Sequence, residues 1–272
     1  MLIRNFFFII LIILISCSKE EVKYQPKEKV SPYSLYKEAH SALEKGDFFF
    51  AQKKFSEAEL NFDVVEYAAK SSIMASYCLY SIRFYAEAIE NINKYLKKYP
   101  ADKNVIYAHY LIALIYFEQI TDEKKDINPV LNAKDKIDFF LKEFPNNDYA
   151  IDLEFKRDLI INQLAAKELY VAKYYIATQK WIPAINRLKI IVNDYDQTVF
   201  VEEALHRLVE IYFYLGLEEK SKKYAKLLGY NYNSGEWFKQ SYKILNKEYK
   251  IEKIENKNDS KSLLKKIINK IK

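Results

Sequence analysis

Glycine and proline are scarce: four and six in 272 residues. An all-β chain needs them at its many tight turns, so that class is excluded. Metal-binding and nucleophilic chemistry is equally thin. The three histidines, His40, His109 and His206, stand far apart with no metal-ligand partner close in sequence. There is no glycine-rich phosphate loop, no His-Glu-x-x-His run and no nucleophile elbow. Carboxylate pairs occur as on any solvated helix. These gaps point away from an enzyme, and no cofactor or metal is expected. Nor is there a run long enough to cross a bilayer. The longest apolar stretch is Phe6 to Ile15, ten residues, where a spanning helix needs about 20.

What is present is helix-forming: half the residues are apolar, and Lys, Glu, Leu, Ala and Ile recur at helical spacing. The fold class is all-α. The net charge of +6 suggests an acidic partner until it is located. Residues 1–16 contribute one positive charge, from Arg4. Residues 247–272 hold nine lysines against four acidic residues, a surplus of five. The body, 17–246, therefore has no net charge, which argues against a nucleic-acid partner, since such binders carry a basic face.

The apolar run sits between Arg4 and the small residue Ser16, the order of a secretory signal. Cys17 follows at once. Leu14-Ile15-Ser16-Cys17 resembles the bacterial lipobox, which implies a lipid on the Cys17 thiol, palmitate included, and cleavage just before it. A thiolate is a good nucleophile for taking a lipid, and stable attachment takes more than one acyl chain. Residues 1–16 then read as a signal peptide and 17–31 as a flexible linker. Ser18 lacks the aspartate that retains such proteins at the inner membrane, which favours the outer membrane. With Cys17 acylated, Cys78 has no partner, and its apolar neighbours make it a small core residue.

From residue 32 to 246 a pattern repeats: a small residue, another twelve later, then an apolar residue four beyond. Ala39, Ala51 and Phe55 form one unit, with Gly46 in its turn. Ser76, Ala88, Ile92 and Tyr95 form the next, closed by Pro100. Ala113, Ala133, Ile137, Phe140 and Pro145 form a third with eight extra residues in its turn. Ala172, Ala184, Leu188 and Ile191 form the fourth, and Val209, Ser221, Ala225 and Leu228 the fifth, with Gly216 in its turn. Bulk at Ala51 or Ala88 would wedge two crossing helices apart, whereas Phe55 or Ile92 fills the gap one turn on. The spacing resembles the tetratricopeptide repeat, predicting a right-handed superhelix of five helix pairs. Residues 149–180 lack Gly and Pro and predict one long central helix or two nearly continuous ones. Twenty-four tyrosines exceed what helix-pair cores need; Tyr suits surfaces with one apolar and one wet side.

A lipobox, a linker and five such repeats together resemble the BamD family, lipoproteins of the outer-membrane β-barrel assembly machinery, in the alphaproteobacterial form. SPYSLYKEAHSALEKGDFFFAQKKF resembles the family's first repeat, and AKYYIATQKWIPAINRLKIIVNDYDQT its most distinctive segment. EEALHRLVEIYFYLGL and LLGYNYNSGEWF resemble its ending. The resemblance implies a scaffold on the periplasmic face of the outer membrane. It would bind the barrel-forming subunit's periplasmic domain and other lipoproteins of the complex, and receive unfolded outer-membrane proteins. It also implies site residues. Arg187, with Asn186 and Trp181, would face the barrel-forming subunit, a guanidinium fork meeting a carboxylate. Phe62, Tyr67, Lys97 and Tyr107 would line a groove for substrate peptides. There the chain departs from the family: Asp63 stands where a proline usually closes the first repeat, and Phe62 replaces a tyrosine. Other envelope repeat lipoproteins, binding division, peptidoglycan-linked or pilus-secretin proteins, remain the alternative; the Asn186-Arg187 pair speaks for the first reading. The tail lies beyond the resemblance. SLLKKIINKIK puts Leu263, Leu264, Ile267, Ile268 and Ile271 on one helical face with lysines opposite, the pattern of a membrane-surface helix, a dock for another subunit, or a solvated extension.

Overall fold

A computed structural model describes residues 30–122, 125–233 and 235–246. Residues 1–29, with Cys17, and the tail 247–272 lie outside the described residues. Among the described residues there are eleven α-helices and no strand. They are α1 Pro32–Glu44, α2 Phe48–Asn61, α3 Val65–Ser81, α4 Tyr85–Lys98, α5 Val105–Glu118, α6 Asn128–Glu143, α7 Asp148–Ala177, α8 Trp181–Asp194, α9 Val201–Tyr214, α10 Glu218–Asn231 and α11 Glu236–Asn246. Each packs on the next, and α3, α5 and α7, the first helices of successive pairs, also touch. This is the expected tetratricopeptide-like superhelix, with one helix more than five pairs provide.

The four regular pairs turn in the same way. Gly46, Arg83, Gln179 and Gly216 all adopt a left-handed backbone, at φ 77°, 62°, 58° and 72°. In each turn that residue's N–H bonds back to the third carbonyl before it, and the next N–H to the fifth before it. Gly46 donates to Leu43 at 3.0 Å and Asp47 to Ala42 at 2.9 Å; Gln179 donates to Ile176 at 3.0 Å and Lys180 to Tyr175 at 2.8 Å. These paired bonds satisfy carbonyls that a helix end leaves open. Two of the four turns use glycine, which adopts positive φ without penalty, and two do not. The third pair is joined instead by residues 119–127, the predicted insertion, after which Pro129 sits in the first turn of α6.

The repeat positions read from spacing are the core. Ala39, Ala51 and Phe55 are fully buried, as are Ser76, Ala88, Ile92 and Tyr95 in the second pair. Ala113, Ala133, Ile137 and Phe140 match them in the third, and Ala172, Ala184, Leu188 and Ile191 in the fourth. In the fifth, the Ser221 hydroxyl donates to the Val209 carbonyl at 2.9 Å, so two helices close enough to need small residues also share a hydrogen bond. Seven residues after each of Phe55, Ile92, Ile137, Leu188 and Ala225 an aromatic residue caps the second helix: Phe62, Tyr99, Phe144, Tyr195 and Tyr232. Every one donates its N–H to the carbonyl four residues back. Phe62 alone leaves its helix extended, at φ −78° and ψ 125°; the others cluster near φ −130°.

The long segment forms one 30-residue helix, α7. Its N-terminal part, up to Leu164, contributes Leu153, Ile160 and Leu164 to the core of the third pair, and the remainder Leu169, Ala172 and Ile176 to that of the fourth and fifth. The two halves of the solenoid are thus joined by a continuous rod. Cys78 is a free, buried thiol whose pKa is pushed up to about 12 by burial, so it stays protonated and inert. The additional helix α11 lies across α9 and α10. Trp237 faces His206 at 4.9 Å and the Arg207 guanidinium at 5.3 Å. The Ser241 hydroxyl and His206 Nδ1 are 2.8 Å apart, both residues almost fully buried. His206 is therefore a core residue.

Candidate partner-binding site

The three α8 residues expected to meet the barrel-forming subunit share a helix but not a direction. Trp181 opens α8 half-buried, its ring 5.0 Å from that of Tyr214 on α9. Asn186 is exposed to solvent. Arg187 turns toward α7, where its Nη1 donates to both carboxylate oxygens of Glu168 at 3.2 and 3.1 Å. The Arg187 side chain is 42% exposed and that of Glu168 only 14%. One guanidinium nitrogen is thus shared between two oxygens of an internal carboxylate, and the rest of the planar fork can take a second one. Tyr195, the repeat-closing aromatic, lies beside the same carboxylate. Its phenol is shifted upward, first by burial and then by the negative charge of Glu168. Sequence reasoning missed Glu168, which lies 19 positions before Arg187. A charge one helix away can be found only once the crossing of α7 and α8 is known.

The expected substrate groove divides. Phe62 and Tyr67 come together: their rings stack at 5.5 Å, and Tyr33 from α1 meets them edge-on at 5.0 and 5.4 Å. The departure of Phe62 from the other caps' conformation accompanies this placement. Tyr33, Val64, Val65 and Tyr67 are all substantially exposed, an apolar patch of the kind that marks a binding surface. A neighbouring cleft of about 440 Å³ is lined by Val65, Glu66, Lys98, Tyr99 and Pro100 to Lys103. Lys103 bonds Glu66 at 2.8 Å, and Lys98 and Tyr99 both bond Glu59, at 2.9 and 3.0 Å. Lys97 is exposed on α4 and does not line this cleft, whereas its neighbour Lys98 does, together with Lys103.

Tyr107 belongs to a second aromatic group. Its ring lies 6.2 Å from Tyr110 and 5.8 Å from Tyr149, and these two stack at 4.4 Å and 15°. The Tyr110 hydroxyl donates to Asp152 on α7 at 2.9 Å. Burial raises the pKa of both phenols, with the Asp152 charge adding to it at Tyr110. Tyrosines of α5 and α7 that looked surplus to packing therefore form this group. Tyr33 gave no signal of its own; in sequence it is one tyrosine among 24.

Among the described residues no cluster of His, Cys, Asp and Glu could hold a metal, and no helix is long and apolar enough to cross a membrane. The fold and these surfaces define a tetratricopeptide-like scaffold that presents aromatic patches and a partly committed arginine along a rigid helical stack. The sequence model of the YfiO family, described as outer membrane lipoprotein, matches residues 28–228. A protein of Rickettsia prowazekii (strain Madrid E) named outer membrane protein assembly factor BamD is 33% identical over 224 residues, 82% of this chain and 89% of its own length. One of the same name from Caulobacter vibrioides is 34% identical over 212 residues, 78% of this chain and 70% of its own. The chain belongs to the YfiO/BamD family of outer-membrane assembly factors, a family of scaffolds rather than enzymes.

Proposed function

We propose that this protein is a lipid-anchored scaffold of the outer-membrane protein assembly machinery, held at the periplasmic face of the outer membrane through Cys17. In this reading it grips the periplasmic domain of the barrel-forming subunit with Arg187, Asn186 and the neighbourhood of Trp181. It receives unfolded outer-membrane proteins at the Tyr33–Phe62–Tyr67 patch, with other lipoproteins of the complex as further partners. The observation that carries the reading is the state of Arg187. Its guanidinium is held by Glu168 through one nitrogen while 42% of the side chain faces solvent. It is therefore pre-oriented for a carboxylate on a second protein, which lowers the entropy cost of forming that contact.

The test is co-purification from detergent-solubilised envelopes. Arg187→Glu should reduce recovery of the barrel-forming subunit about tenfold or more, since truncating or reversing a paired interfacial charge costs roughly 2 kcal/mol or more. Unchanged recovery would remove Arg187 from the interface. Fractionation of the same cells tests the anchor: Cys17→Ala should leave an unprocessed precursor or a soluble periplasmic protein. Membrane-bound, acylated Cys17→Ala protein would refute lipidation at that residue.

A further inference from the structure

One face of α7 has no partner among the described residues. Ile151, Phe155 and Leu159 follow one another at four-residue spacing and are 74%, 64% and 45% exposed. Side chains at that spacing form a continuous stripe along a helix. The stripe runs into a cleft of about 580 Å³ where Leu159 meets Phe117, Ile120 and Tyr170. Glu154 and Asp158 flank it, both exposed and with no ion pair among the described residues. This contrasts with Asp152 on the same helix, which bonds both Lys156 and Tyr110. An apolar stripe edged by unneutralised carboxylates is the complement of a basic amphipathic helix.

The chain itself contains such a segment. Residues 261–272 read KSLLKKIINKIK, with five lysines, no acidic residue and the apolar side chains on one helical face. We propose that this segment docks in cis on α7. Leu264, Ile267, Ile268 and Ile271 cover Ile151, Phe155 and Leu159, and Lys265, Lys266 and Lys270 approach Glu154 and Asp158. The reach suffices. α11 is fastened to α9 through Ser241 and His206, and α9 to α7 through Glu203 and Lys173 at 2.8 Å. From Lys173 back to Phe155 is about 27 Å along the helix at about 1.5 Å per residue. The sixteen residues between Asn246 and Leu263 span up to about 55 Å when extended. Docking would cover the stripe and the carboxylates with the chain's own surplus positive charge, and leave the faces of α8 and of the Tyr33–Phe62–Tyr67 patch open.

The test places benzoylphenylalanine at Phe155 in the full-length chain and maps photo-crosslinks by mass spectrometry, with and without vesicles containing anionic phospholipid. The expected product is an intramolecular link to a peptide within 261–272. Glu154→Lys with Asp158→Lys, surface changes that leave the core untouched, should lower its yield about tenfold, the loss expected from several weak ion pairs acting together. Adding Lys265→Glu and Lys266→Glu to that background should restore it. Links to a second copy, links to lipid, the absence of any link, or a yield indifferent to both charge reversals would each overturn the proposal.

Discussion

The two turns without glycine are where single residues hold the most unused stability. A non-glycine side chain in the left-handed region costs about 1 kcal/mol through contact of Cβ with the backbone. Arg83 and Gln179 bear that cost at φ 62° and 58°. Gln179→Gly should therefore stabilise the protein by about 0.5 kcal/mol, less than the full amount because glycine also loosens the unfolded chain. Gly216→Ala should destabilise it by about 1 kcal/mol. Nothing lies within 4 Å of the Cβ it would gain, so backbone conformation alone sets that cost. Urea denaturation of the two variants checks both signs, and equal shifts in one direction would contradict the account. The sequence marks Gly46 and Gly216 as turns but is silent on Arg83 and Gln179. Their turns are specified by the helices on either side, whose small and apolar residues hold the crossing closely enough to impose the strained residue. The same limit hid Glu168 beside Arg187, because an ion pair between helices depends on the crossing and not on spacing.

At the scale of the element, α11 is held by a buried polar contact that replaces some of the apolar packing found elsewhere. His206 Nδ1 meets the Ser241 hydroxyl at 2.8 Å, both residues about 1% exposed. Ser241→Ala leaves that ring nitrogen without its partner in a dry site, a loss of about 1–3 kcal/mol. The loss should fall on α11 alone. Amide hydrogen exchange should accelerate from Glu236 to Asn246 while α1 to α6 keep their protection. Uniform acceleration along the chain would mean that α11 is not a separate unit of stability. The five helix pairs were legible because their pattern rests on steric rules that a sequence carries openly: small where helices cross, apolar one turn on, proline after the end. The long α7 was legible for the same reason, as thirty residues without a breaker. The separateness of α11 was not. Its residues EWFKQSYKILN have helical periodicity, but the groups they dock against, His206 and Arg207, lie on another helix and are unremarkable in sequence.

For the molecule as a whole, α7 decides how damage spreads. In a solenoid each pair contacts only its neighbours, so stability is a sum of local terms and interfaces, and an end can open without the rest. α7 breaks that independence by contributing to the core of the third pair with Leu153, Ile160 and Leu164 and to the core beyond it with Leu169, Ala172 and Ile176. The same wedge should then act differently at two equivalent positions. Ala51 and Ala172 are both fully buried at a helix crossing, and a leucine at either overpacks it by about 1–3 kcal/mol. Ala51→Leu should loosen only the first pair, seen as faster hydrogen exchange in α1 and α2 and a thermal midpoint for α7 to α10 left where it was. Ala172→Leu should lower the midpoint of the whole chain, because the rod that shifts at residue 172 also carries Leu164 and Ile160 about two and three turns away. If both substitutions act locally, α7 is two independent helices in series despite its unbroken hydrogen bonds. If both act globally, the first pair is coupled to the rest more tightly than nearest-neighbour packing allows. Only a local effect at Ala51 with a global one at Ala172 fits a scaffold whose first pair, with Tyr33, Phe62 and Tyr67 at its margin, moves independently of the part that carries Arg187.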